Sequence, residues 1–251
     1  MQVLIGFAIA VILGLTGVGG GSLATPALVL LAGIPAADAV GTALVFTTAV
    51  RLLATPFYLS GRQVHFRCLG RMLLGAVPGL LGGTYLLHEA NSRISKPAVL
   101  LAIGSVLILC SVLTSLRNND SVKKRASDRP ASWLGWMALP IGIETGFSAA
   151  GAGALATLLL LNFSGLSAAE AVGTDLVFGT AVGGLGAIFH FSFGSISGAI
   201  LKDLLLGGIP GVIVGCVLAR WMTPSILRRA IVVVSGLLGL ELLVTGARSL
   251  L

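Results

Sequence analysis

Gly14-Leu15-Thr16-Gly17-Val18-Gly19-Gly20-Gly21-Ser22 interrupts an uncharged run that extends from Met1 to Ala37. As one helix that run would be about 55 Å long, too long for a single crossing of a ~30 Å hydrocarbon core and too short for two crossings and a turn. Glycine costs a helix up to about 1 kcal/mol per residue, so the cluster from Gly17 to Gly21 favours a break. A discontinuous or re-entrant membrane helix is expected here.

The same device recurs. Gly146-Phe147-Ser148-Ala149-Ala150-Gly151-Ala152-Gly153 sits inside the long apolar run 130–169, and an ungapped offset of 132 aligns residues 14–50 with 146–182 at 20 identities in 37 positions. Leu23-Ala24-Thr25 matches Leu155-Ala156-Thr157, and Ala39-Val40-Gly41-Thr42 matches Ala171-Val172-Gly173-Thr174. The offset also pairs Pro78-Gly79 with Pro210-Gly211 and Gly83 with Gly215. The chain therefore reads as two copies: a first membrane repeat over 1–116, a hydrophilic linker over 117–131, and a second membrane repeat over 132–251.

Composition agrees with a membrane setting. Of 251 residues, 56% are hydrophobic and only 10% charged, against roughly 25% charged in soluble domains. The runs 39–58, 72–88, 97–116, 171–193, 196–219 and 230–247 each fit one crossing, which makes an all-α polytopic protein of about 6–8 crossings. The net charge of +7 is spread between apolar runs, with one short cluster at Lys123-Lys124-Arg125, so nucleic-acid binding is set aside. Cys68, Cys110 and Cys216 lie far apart with no neighbouring histidine, and neither a metal site nor a redox pair is indicated. The N-terminus lacks a basic leader and reads as the first membrane element.

Charge placement bears on orientation. If every run crosses once, Lys and Arg divide 10 to 5 between the faces; if the glycine-broken runs are re-entrant, the copies are inverted and the division is 11 to 4. The inverted arrangement obeys the positive-inside rule better and brings Trp133, Trp136 and Trp221 to one interface. It puts both termini outside and the linker in the cytoplasm.

Function is sought at the breaks. Gly19-Gly20-Gly21-Ser22-Leu23-Ala24 and Gly151-Ala152-Gly153-Ala154-Leu155-Ala156 match G-x-G-x-x-A formally, but no β-α-β unit surrounds them and a dinucleotide site is rejected. A break at Gly19, Gly20 and Gly21, or at Gly151 and Gly153, would start a second half-helix whose exposed N–H groups can hold an anion. Close helix packing is the competing use of these glycines. Ser22, Thr25 and Thr157 on the breaks, and the duplicated Thr42 and Thr174 beyond them, can donate to an oxyanion without adding charge; bonding to a local carbonyl is their alternative. Thr16, Ser148, Thr48 and Thr180 extend the same set.

Ionisable groups inside apolar runs cost at least ~2.5 kcal/mol each and are functional candidates. Arg51 is expected to offset substrate charge, and Asp175 or Glu144 to carry a coupling proton; an Arg51–Asp175 structural pair, or Arg51 reaching from its helix end, is the other reading. His190 is read as an interfacial histidine.

These residues resemble a known family. Gly14 to Gly21 as G-x-x-G-x-G-G-G, then Pro26, then Gly33 to Thr42 as G-I-P-x-x-x-A-V-G-T, with a half-length copy ending in A-V-G-T, are similar to the sulfite exporter TauE/SafE family, also called the 4-toluene sulfonate uptake permease family. The resemblance implies a secondary transporter, not an enzyme, that moves sulfite, a sulfonate or a similar small sulfur-containing anion across the bacterial cytoplasmic membrane, with export the expected direction. No cofactor is expected, and the expected partners are the small sulfur-containing anion and the lipid bilayer, with the oligomeric state left open. A passive anion channel, or a permease for a non-sulfur organic anion, is the alternative. An intramembrane hydrolase would need a nucleophile with a partnered base, which none of the three histidines supplies. The second copy departs from the motif at Gly151-Ala152-Gly153, and Leu158 stands where the first has Pro26.

Overall fold

The computed structural model describes residues 1–18, 20–21, 23–24, 27–28, 36–89, 96–116, 133–147, 152–193 and 197–248. All regular structure among them is helical: α1 (Gln2–Thr16), α2 (Ala36–Ser60), α3 (Phe66–Glu89), α4 (Lys96–Leu116), α5 (Trp133–Phe147), α6 (Ala152–Phe163), α7 (Ala168–Phe193), α8 (Gly198–Trp221) and α9 (Pro224–Arg248). Four stretches, Gly41–Ser60, Ala168–Ile188, Gly198–Trp221 and Pro224–Arg248, are long and apolar enough to cross a membrane. Shorter apolar helices stand beside them, Gln2–Thr16 and Gly153–Phe163 included. The chain is a polytopic α-helical membrane protein.

Both long runs are divided. Gly17 ends α1 in the left-handed conformation at φ 71°, its N–H bonded to the Leu13 carbonyl at 2.7 Å, a backbone state that glycine adopts without Cβ strain. In the second run α5 stops at Phe147 and α6 begins at Ala152. Elsewhere helices outrun the apolar segments that announce them: α3 takes in Arg67 and Arg71, and α9 starts at Pro224 and takes in Arg228 and Arg229. Charge marks where hydrocarbon ends, whereas a helix continues into the headgroup layer with its arginines reaching for water.

Helix bounds in the second half follow those in the first. Both ends of α3, moved by the 132-residue offset of the aligned sequences, fall on the ends of α8, and α2 and α7 agree to within one residue. The halves interlock along glycine seams. A Cβ at Gly207, Gly211 or Gly215 of α8 would strike the backbone of Val3, Phe7 or Val11 in α1. A Cβ at Gly75, Gly79 or Gly83 of α3 would likewise strike Gly135, Leu139 or Ile143 in α5. Glycines four apart make a flat helix face on which another backbone can lie, the dispersion-driven packing favoured in lipid.

The contacts fix helix directions. Register rises together in both seams, so α8 runs parallel to α1 and α3 parallel to α5. Thr48 lies against Gly183 while Tyr58 lies against Gly173, so α2 and α7 are antiparallel; Gly104 and Ser111 of α4 meet Leu243 and Gly236 of α9, also antiparallel. The helix pairs α2 with α7 and α4 with α9, which the 132-residue offset matches, thus run in opposite directions. The His65 N–H bonds Thr174 at the start of α7, and the Ser197 N–H bonds Thr42 near the start of α2. These links place Arg62, Arg67, Arg71, Arg220, Arg228 and Arg229 at one end of the bundle, and Lys202 and Arg248 at the other.

Candidate functional site

Helices α2 and α7 cross near their midpoints. Thr48 of α2 touches Gly183 of α7, and the guanidinium of Arg51 covers Gly179. Gly183 is aligned with Arg51 itself and Thr180 with Thr48, so the crossing lies where the two copies face each other across residues 48–51. The intramembrane arginine therefore sits at the centre of the bundle.

Its surroundings are closed. The Arg51 side chain is 7% exposed and that of Asp175 is fully buried. Arg51 Nη1 donates to the Asp175 carboxylate at 3.3 Å and to the Asp175 main-chain carbonyl at 3.1 Å; Nη2 donates to the Gly17 carbonyl at 3.2 Å. The last acceptor is the end of α1, where the helix dipole is negative and suits a cation. Gly153, in the first turn of α6, packs against Nη2, and a side chain there or at Gly179 would overlap the guanidinium. Both breaks thus reach Arg51, the first through the Gly17 carbonyl and the second through Gly153.

Of the carboxylate oxygens, Asp175 Oδ2 takes the arginine while Oδ1 is buried and has no hydrogen-bond partner among the described residues. The Thr157 hydroxyl on α6 adjoins this carboxylate but stands outside hydrogen-bond geometry. The cluster therefore holds a cation, an incompletely satisfied anion and a hydroxyl in a closed site. Such a group can exchange one anion for another around a fixed guanidinium, whose five N–H donors fit planar or tetrahedral oxyanions.

Several residues flagged by sequence gather here: Arg51, Asp175, Gly153 and Thr157. Others are engaged differently. Thr42 and Thr174 accept the Ser197 and His65 N–H groups at 3.2 and 3.0 Å, fastening the starts of α8 and α3. Their duplication follows from the same fastening made twice. Gly20 packs on Leu13 and Thr47; Gly21 is partly exposed. Glu144 is buried on α5. Gly19, Ser22, Thr25, Ser148, Gly151 and the His190 side chain lie outside the described residues. Sequence reading overlooked Gly17 as a carbonyl ligand and Gly179 as the floor under Arg51. The available signal for Gly179 was its alignment with Thr47, a side chain lost opposite the arginine.

Comparison with known proteins adds the following. A family model described as "Sulfite exporter TauE/SafE" matches residues 2–242. A Bacillus subtilis (strain 168) protein named "Probable membrane transporter protein YjnA" is 29% identical over 247 residues, covering 94% of this chain and 97% of that one. No solved structure gives a significant match.

Proposed function

This chain belongs to the sulfite exporter TauE/SafE family of membrane transporters, and on that premise we propose that it is a secondary transporter exporting sulfite, a sulfonate or a similar small sulfur-containing anion from the bacterial cytoplasm. The observation that carries the reading is Arg51, a cation buried at the crossing of α2 and α7 and reached by both glycine breaks. A charged group inside a membrane bundle is costly even when paired, as Arg51 is with Asp175, and is by default a candidate for a substrate pathway. Substrate oxygens take the Arg51 donors beside Gly153 and Thr157, while the half-helix beginning at Ala152 turns its positive end toward the same place.

The two copies form inverted repeats that rock about this centre. Antiparallel pairing of α2 with α7 and of α4 with α9 supports inversion. The arginine-rich end of the bundle supports a cytoplasmic linker and both termini outside, by the positive-inside rule. Burial of Arg51 fits alternating access better than a standing pore.

Reconstituted vesicles test the reading. Liposomes loaded with sulfite and carrying the full chain are expected to lose it at least about tenfold faster than protein-free liposomes, a barrier difference of about 1.4 kcal/mol. Rates no faster than those of protein-free liposomes, for sulfite and for each of a panel of sulfonates, would refute the sulfur-anion assignment.

A further inference from the structure

We propose that Asp175 is a built-in stand-in for the substrate: its carboxylate and the transported anion take turns on Arg51, and the anion binds only as Asp175 accepts a proton. The inference rests on the anion-binding reading of Arg51 given above. It goes further in making one proton per anion a consequence of the site's geometry.

The argument begins from occupancy. In the closed structure the guanidinium is already neutralised by Asp175 Oδ2 at 3.3 Å, in a pocket with no exposure on the aspartate side. A second anion brought to Arg51 would put two negative charges around one positive charge in a dry core, which is strongly unfavourable. Carboxylate and substrate therefore exclude each other as charged species. Protonation of Asp175 resolves the conflict: the O–H bond forms on the carboxylate, the proton comes from the aqueous side open at that moment, and the pair Arg51 plus anion carries the same zero net charge as Arg51 plus Asp175 did. On the opposite face the anion leaves, Asp175 releases the proton, and the internal pair re-forms.

Two features suit Asp175 to this exchange. Its Oδ1 has no hydrogen-bond partner among the described residues, so one oxygen can take a proton while the other holds the arginine, and the adjoining Thr157 hydroxyl can turn to receive the new O–H. Its charged surroundings are also simple. Helices α2, α3, α5, α6 and α9 pack on α7; α2 presents Arg51 and α6 presents Thr157, and among the described residues Arg51 is the one charged group acting on Asp175. Proton and substrate thus compete through a single cation. The first copy has Ala43 where the second has Asp175, and the second has Gly183 where the first has Arg51, so the otherwise duplicated centre contains one exchange pair.

The test is titration calorimetry on the full-length protein in detergent. The probes are methanesulfonate, sulfite corrected for its own protonation, and nitrate, each measured in two buffers of different ionisation heat. Wild type is expected to take up one proton per bound anion, and its affinity to fall by up to about tenfold per pH unit above the titration range of Asp175. Asp175→Asn is expected to bind at least about tenfold more tightly at the upper end of that range, with no proton uptake and a flat pH dependence. The wild-type proton count is decisive by itself should the variant fail to insert. A count of zero in wild type, or a count unchanged in Asp175→Asn, would overturn the exchange while leaving anion binding intact. Binding of nitrate alone, with the proton count as expected, would uphold the exchange and overturn the sulfur assignment. Binding of no probe by either protein would overturn both.

Discussion

Leucine at Gly179 should reduce anion transport by at least about tenfold to a hundredfold, equivalent to about 1.4–2.7 kcal/mol in the barrier, without preventing insertion. A Cβ at this position would overlap the guanidinium of Arg51, and Gly153 bounds the same group from α6. Overpacking of a close-packed interior costs about 1–3 kcal/mol, and the cheapest relief is for Arg51 to swing off the Asp175 and Gly17 acceptors. Alanine should already be harmful at Gly179, although in an unobstructed helix alanine gains up to about 1 kcal/mol over glycine. Gly184 provides the control: a Cβ there would meet Thr48 at 3.7 Å, ordinary contact distance, so Gly184→Ala should be tolerated. Vesicle flux of the three variants at matched protein incorporation checks the contrast, and equal rates for Gly179→Leu and wild type would remove the guanidinium cradle from the account.

Asp175→Ala should destabilise the protein more than any surface substitution, by about 3–5 kcal/mol, because it strands a buried guanidinium without its counter-charge. Much of that loss is the cost of the uncompensated Arg51, so Arg51→Gln combined with Asp175→Ala should recover most of the stability of Asp175→Ala alone. Thermal unfolding in detergent of the two single variants and the double variant gives the coupling. Strict additivity would mean that the two side chains do not interact in the folded protein.

The parts of this arrangement differ in how visible they are from sequence. Breaks in the long runs were legible at Gly14 to Ser22 and Gly146 to Gly153 because glycine clusters are costly in helices and a bilayer limits helix length. Arg51 and Asp175 were legible as candidates because charge is scarce in apolar runs. Their pairing stood only as an alternative reading: the two lie 124 residues apart, and the antiparallel crossing of α2 with α7 brings them together. Gly179 was hidden among 35 glycines, since nothing local separates a glycine that packs helices from one that makes room for a guanidinium. Thr42 and Thr174 invited a binding role through their duplication, yet each hydroxyl meets a backbone N–H at a helix start, a use that depends on a residue far along the chain. The helix starts at Phe66 and Pro224 were not legible, because uncharged runs mark the limits of hydrocarbon and not those of the helix.

The central claim is that transported anions bind Arg51 between two oppositely directed halves. Sulfite efflux from liposomes reconstituted with Arg51→Gln, beside wild type and Arg51→Lys, tests it most directly. With all three proteins incorporated equally, the glutamine variant is expected to fall to the rate of protein-free vesicles, and the lysine variant, which keeps the charge but loses the planar donor fork, to retain a minor fraction of wild-type flux. Wild-type efflux by Arg51→Gln would contradict the account.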